Sequence, residues 1–297
     1  MPVLFHIGYP KTATTWFQES FFPRVKNYRY IHRDITNKHF FFSDSFTFNS
    51  TEVKHELDLD QSNEKLLLSS ELMVTAINFS WQSGNYARVC AQKIREVFPS
   101  AQIIIFLRNQ QSLFASAYQQ YLKNGGTYSL KKYLYSGRVF AFEHLLFDLM
   151  IEYYDSLFGK ENVHIFFYEE FRRDPDSFLD DFCKKFDFKI DVNEIPQGRV
   201  NRGLRKGMVL PLRFFNFFHY KPIGRKNYLF HLPGMIRFIN QAIIPLNRFN
   251  IFGEFLKTED LLDQKDYEAF RNYYSVSNRR LAKRVGEDIL KNYGYYL

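Results

Sequence analysis

The chain has 297 residues, 45% of them hydrophobic and 24% charged, with a formal net charge of +8. That balance excludes global disorder and fits one large α/β domain with a substantial core. No uncharged apolar run approaches the ~18 residues of a membrane span, and two cysteines, Cys90 and Cys183, build neither a disulfide framework nor a zinc site. The opening residues, MPVLFHIGYPK, lack a basic stretch followed by a long apolar one. The expectation is a reduced cytoplasmic protein without a signal peptide. The sequons at Asn49 and Asn78 then carry no meaning.

In chain order, Val3–Ile7 is a short apolar run stopped by Gly8 and Pro10, the pattern of a buried strand entering a turn. Thr14 to Phe22 has helical character. Residues 24–64 are polar, aromatic and irregular. Leu66–Leu68 predicts a second strand, followed by Ser69, Ser70 and Glu71. Tyr86–Phe98 reads as an amphipathic helix. Ile103–Leu107 is the clearest strand, a β-branched run of the buried parallel kind. Gln110–Lys123 predicts a helix ended by Gly125 and Gly126, and Phe140–Phe158 another ended by Gly159. Val163–Phe167 predicts a fourth strand and Asp176–Phe186 a helix after Pro175. Residues 260–293 read as helical. Strands alternating with helices predict a parallel sheet covered on both faces. In such sheets ligands bind beyond the carboxyl ends of the strands.

The first strand runs into Gly8-Tyr9-Pro10-Lys11-Thr12-Ala13-Thr14-Thr15-Trp16. A strand, a tight turn carrying Lys and hydroxyls, then a helix makes an anion cradle. Amide groups at the helix start point inward and the helix dipole favours negative charge. Lys11 adds a mobile cation, and Thr14 and Thr15 add hydroxyl donors. The central strand delivers Arg108 at its carboxyl end, with Ser116 eight residues on. Arg supplies a bidentate charged fork and Ser a neutral donor.

Lys11 to Trp16 resembles the 5′-phosphosulfate loop of the sulfotransferases, commonly PKSGTTW or PKTGTT. Ala13 replaces the usual Gly, and its methyl group predicts negative φ there. Phe106-Leu107-Arg108-Asn109 with Ser116-Ala117-Tyr118 resembles the family's 3′-phosphate motif, with Gln110 in place of a common Pro. Val163 to Phe171, then Asp174-Pro175, is similar to the family's LYYEDMKEDP segment. Arg205-Lys206-Gly207 echoes an RKG element that closes over the 3′-phosphate; Asn201 and Arg202 compete with it from the same basic loop.

The resemblance implies a P-loop NTPase-like α/β fold with a mostly helical C-terminal extension. It divides a single domain, 1–297, into a nucleotide-binding core, 1–190, and an acceptor-side region, 191–297. It further implies sulfuryl transfer from 3′-phosphoadenosine 5′-phosphosulfate (PAPS) to a hydroxyl or amine, with no metal required. Lys11 would face the leaving phosphate. Thr12, Ala13, Thr14 and Thr15 would hold the sulfuryl end. Trp16 and Tyr168 would lie against adenine, and Arg108, Ser116, Arg205, Lys206 and Gly207 would bind the 3′-phosphate. Glu71, at the carboxyl edge of the second strand, is the favoured base. His6, inside a strand, and Glu19, one turn into the first helix, are alternatives. For Glu71 the plainer reading is an ion pair or a helix cap.

Between Arg199 and Arg248 lie ten Lys or Arg and no Asp or Glu, so the rest of the chain nets −2. The same stretch holds Phe214, Phe215, Phe217, Phe218, Tyr220, Tyr228, Phe230 and Phe238. Basic and aromatic residues together favour an anionic substrate, a polyanion or a membrane surface. Alongside the family resemblance this reads as an acceptor-side lid. The expected partner is a glycan, anionic or lipid-linked, and not a nucleic acid, with peripheral membrane contact a further expectation. The competing readings are a P-loop kinase or NTPase and a non-catalytic polyanion- or membrane-binding protein. A kinase would need a strand-end Asp for magnesium where this chain has Arg108. The missing N-terminal anchor points to a soluble bacterial enzyme.

Overall fold

Alternation of apolar side chains along each strand gives the sheet two buried faces and the protein two cores. In the computed structural model, which describes residues 2–59, 64–74, 86–191, 194–196, 203–219 and 228–297, β1 (Val3–His6) leads through the loop 7–13 into α1 (Thr14–Trp16). That helix widens into a π turn, Phe17–Phe21. Then come β2 (Arg29–Ile31), α2 (Arg33–Phe40), α3 (Ser50–Glu56), β3 (Leu66–Ser69) and α4 (Ala87–Val97). The central strand β4 (Gln102–Leu107) feeds α5 (Gln110–Lys123), followed by α6 (Leu130–Tyr135) and α7 (Phe147–Phe158). After β5 (Val163–Phe167) come α8 (Tyr168–Arg173), α9 (Pro175–Phe186), α10 (Val209–Asn216), α11 (Met235–Phe238), α12 (Gln264–Val285) and α13 (Glu287–Asn292).

All strand pairs are parallel, in the order β2-β3-β1-β4-β5. From β1 the chain crosses to the β2–β3 side; from β4 it crosses to β5. The order therefore reverses between β1 and β4, the place at which open parallel sheets form a crevice at the strands' carboxyl ends. Successive strand residues face opposite ways. Phe5, Leu66, Leu68, Ile103, Ile105 and Leu107 enter a large core shared with α4, α5, α7 and α12. Leu4, Leu67, Ile104 and Phe106 enter a smaller core of rings from Phe17, Phe21, Phe22, Phe178, Phe182 and Phe186.

The stretch 24–64, expected to be irregular, contains β2, α2 and α3. A three-residue edge strand carries too little periodicity to be read. The two helices are polar and owe their starts to side-chain caps: His32 accepts from the Asp34 amide, and Asn49 from the Thr51 and Glu52 amides. The helix expected from Phe140 begins only at Phe147, because Phe142–Leu145 form a separate 3₁₀ turn.

Candidate functional site

The loop after β1 stays attached to β4. The Ile7 amide donates to the Ile104 carbonyl at 2.9 Å and the Tyr9 amide to the Phe106 carbonyl at 3.1 Å. Gly8 is required by that close pass: a Cβ there would sit 2.9 Å from His6 Nε2 and 3.2 Å from Phe106 Cβ. The turn is then formed by two residues in the left-handed region, Lys11 at φ 72° and Ala13 at φ 65°, on either side of Thr12. Thr12 is fully buried, and its hydroxyl donates to the Tyr9 carbonyl at 2.5 Å. Residues of alternating backbone hand turn successive amides toward one side, the nest geometry that receives anions. Thr14 opens α1 directly behind it.

Ala13 thus corrects the expectation of negative φ. The turn demands the left-handed region whatever the side chain, and Ala accepts it at a cost of roughly 1–2 kcal/mol. Gly would remove that cost and add back some unfolded-state entropy. Ala13→Gly should therefore stabilise the protein by about 0.5–1 kcal/mol in a urea titration. A destabilised variant would show that the Ala13 methyl makes packing contacts that outweigh the strain.

Lys11 points over this loop toward α5. Its Nζ donates to Gln120 Oε1 at 3.4 Å. Among the described residues no carboxylate lies within the 4 Å of an ion pair. Burial, with Lys123 and Arg108 nearby, pulls its pKa down to about 8, and Glu71 opposes that shift. A half-buried cation beside such a turn, with no counter-ion among the described residues, is an arrangement that favours an anion.

Arg108 leaves the end of β4 and clamps the same loop. Its Nη1 donates to the Lys11 carbonyl at 2.8 Å and its Nε to Ser112 Oγ at 3.0 Å. Its guanidinium lies 4.4 Å from the centre of the Tyr168 ring at the start of α8. Burial lowers its pKa, while Tyr168 and Glu169 oppose the change. Its serine partner is Ser112, one turn before Ser116 on α5. Ser116 lies on the same helix face, since residues four apart lie one above the other. Asn109 caps α5 by accepting from the Ser112 amide at 3.3 Å. It also receives the C-terminal tail, donating to the Tyr293 carbonyl at 3.3 Å. Gln110 is buried and donates to Asn278 on α12 at 2.7 Å.

The two aromatic candidates fall on one wall. α8 presents Tyr168 to Arg108 and Phe171 to Trp16, whose rings are 5.1 Å apart. Glu169 ties this helix to the crevice by accepting from the Asn109 amide at 2.9 Å. The RKG element is placed differently. Arg205 donates to the Asn247 carbonyl at 2.9 Å and to Asn250 Oδ1 at 2.6 Å, and Lys206 pairs with Asp260 at 2.6 Å. Gly207 lets the Phe252 backbone pass, since a Cβ would meet that carbonyl at 3.0 Å. These cations brace their own chain. The segment still reaches α5, where the Leu204 amide donates to Gln119 Oε1 at 2.8 Å. Asn201 and Arg202 lie outside the described residues.

Of the three candidate bases, Glu71 stands at the crevice. Gln18 Nε2 donates to Glu71 Oε2 at 2.9 Å and to Ser69 Oγ at 3.0 Å. Ser69 Oγ lies 2.7 Å from His6 Nδ1. His6 is fully buried among Phe17, Phe22 and Phe106, and burial lowers its pKa to about 3. It is a neutral anchor beneath the carboxylate, with no path to a substrate. Glu19 points into solvent. Sequence reading missed Gln18, Ser69, Ser112 and Gln120. Only polar residues inside otherwise apolar elements hinted at the first two.

The model of the sulfotransferase family matches residues 2–191. A sulfotransferase from Alicyclobacillus acidocaldarius is 20% identical over 66% of this chain and 84% of its own, with a TM-score of 0.47. Mouse sulfotransferase SULT7A1 complexed with PAP is 15% identical over 98% of this chain and 88% of its own, with a TM-score of 0.50. At such identity the likeness concerns the fold. No curated protein matches the chain.

Proposed function

The chain belongs to the sulfotransferase family, and from that premise we propose that it sulfates a hydroxyl or amine of a carbohydrate acceptor with PAPS as donor. The observation that carries this reading is the clamp between the two strands: Arg108 holds the Lys11 carbonyl, so an amide nest, a cation and a guanidinium fork are set in one crevice. Their spacing along β1 and β4 suits a nucleotide charged at both ends of its ribose phosphates. When bound, PAPS supplies the sulfuryl group and departs as 3′,5′-adenosine bisphosphate.

The chain's own residues do the rest. The loop amides from Lys11 to Thr15 and the Thr14 and Thr15 hydroxyls hold the sulfuryl and 5′-phosphate oxygens. Lys11 faces the charge that grows on the leaving phosphate as its bond to sulfur breaks. Arg108, with Ser112 and Ser116 along α5, fixes the 3′-phosphate. Trp16 and Tyr168 flank the base. Glu71, oriented by Gln18, takes the acceptor's proton as its oxygen bonds to sulfur. Fixing both reactants in line is the main source of rate in transfer through a loose transition state. The acceptor reading rests on the basic, aromatic segment 199–253, whose rings suit sugar faces and whose cations suit carboxylates or sulfates.

The deciding experiment incubates the protein with radiolabelled PAPS and a panel of uronic-acid and neutral glycans. Label should move to a glycan, and Glu71→Gln should lower kcat by about 10²–10⁴-fold, the usual contribution of a general base. Its binding of the bisphosphate should be unchanged. Label transfer unaffected by Glu71→Gln would remove Glu71 from the mechanism. Transfer to no acceptor, with magnesium-dependent turnover of ATP instead, would replace the reaction.

A further inference from the structure

Among the described residues, nine of the eighteen large apolar side chains that are exposed fall between Leu210 and Ile251. Leu210 is 71% exposed, Leu229 68% and Ile251 88%. Three of them, Phe214, Phe230 and Phe238, are linked by ring contacts through Phe215 and Phe218. Phe214 packs on Phe218 at 5.2 Å between ring centres, Phe218 on Phe230 at 5.3 Å, and Phe215 on Phe238 at 5.5 Å. An apolar surface of this kind on a folded chain marks a place of contact.

Its charge narrows the partner. From Arg199 to Gly253 the sequence holds no Asp or Glu. Arg237 and Arg248 are exposed beside the exposed rings of Phe238 and Phe249, and the Arg248 guanidinium lies 4.6 Å from the Phe249 ring centre. A second copy of the chain, docked through the same patch about a two-fold axis, would bring like charges together. A glycan would use the flat rings but not Leu210, Leu229, Leu232 and Ile251, which offer neither a face to stack on nor a hydrogen bond. Leucine and isoleucine with phenylalanine, interleaved with arginine, suit the boundary between acyl chains and anionic headgroups.

We propose that the face built from α10 and residues 228–251 docks the protein onto an anionic lipid surface. It is rigidly placed for this. Asn216, at the end of α10, donates to the Leu122 carbonyl at 2.9 Å and the Gly126 carbonyl at 2.8 Å. That anchors the patch to the end of α5 two residues from Gln120, the partner of Lys11. Docking therefore brings the crevice to the membrane, where a lipid-linked acceptor would be met. The surface itself does not depend on which reaction the crevice performs.

The test is flotation of the full chain with phosphatidylcholine vesicles, with and without phosphatidylglycerol. The protein should float only with phosphatidylglycerol vesicles and be released by high salt. The double variant Leu229→Ser, Phe230→Ser should partition about tenfold less, with only a small fall in melting temperature because both side chains are more than half exposed and Phe230 loses one ring contact, to Phe218. Absence of flotation, equal flotation with neutral vesicles, or undiminished binding of the variant would each overturn the proposal. So would self-association in sedimentation velocity that the double variant abolishes without any vesicle binding.

Discussion

Lys11→Ala should lower kcat by about 10²–10³-fold, the cost of removing one preorganised charge from a transition state. The reason lies in how the cation is held. Its amine is drawn into a half-buried position by the left-handed turn at residue 11, with Gln120 as its only hydrogen-bond partner among the described residues and two further cations nearby. The folded chain therefore bears the cost of burying this charge before any ligand arrives, and an incoming anion relieves it. The same reasoning sets a pH dependence. With a pKa of about 8, Lys11 is charged below that pH and loses its proton as the pH rises through it. Affinity for 3′,5′-adenosine bisphosphate should hold below pH 8 and fall above it. Because the bound anion favours the charged amine, binding at pH near 9 should take up a proton. Calorimetry in two buffers of different ionisation enthalpy measures that uptake. Wild-type turnover in Lys11→Ala, or binding without proton uptake at that pH, would contradict this account.

Arg108→Ala should weaken binding of the same bisphosphate by about 2–5 kcal/mol, the range for cutting one member of a buried, hydrogen-bonded charged contact. Two losses add. The fork that would meet the 3′-phosphate disappears, and the Lys11 carbonyl loses the donor that fixes the loop between the strands. Arg108→Lys separates them. A single ammonium on a flexible stem cannot serve Ser112 Oγ, the Lys11 carbonyl and a phosphate at once, so charge alone should restore only a small part of the affinity. If Arg108→Lys bound as tightly as the wild type, the planar fork would have no special role, and the site would be a simple electrostatic well.

Several elements were legible because their signals are local. A β-branched run from Ile103 to Leu107 is buried on both sides wherever the chain puts it, and β4 contains it. Lys11 through Trp16 and Arg108 through Ser116 follow strands, so their placement at a sheet edge follows from the alternation of strands and helices. The helix from Gln110 to Lys123 and the strand from Val163 to Phe167 appear with the bounds their patterns gave. Short polar elements were not legible: β2 is defined by pairing with β3, and no property of Arg29–Ile31 alone requires it.

Thus the residue sequence by itself determined the parallel α/β plan, the two loops that follow β1 and β4, the family, and the excess of positive charge in one segment. Periodicity, turn residues and composition act within a few residues of where they are written. Only the tertiary structure decided the rest. Gln18 meets Glu71 across 53 residues, Arg108 meets the Lys11 carbonyl across 97, and Gln110 meets Asn278 across 168. Those contacts exist because strand order sets β1 between β3 and β4, and no local pattern encodes strand order. Backbone closure, not side-chain preference, forced Ala13 into the left-handed region. Packing likewise determined which of the many aromatic rings between 210 and 251 stayed in water, since a ring's chemistry is the same whether it faces a core or a membrane.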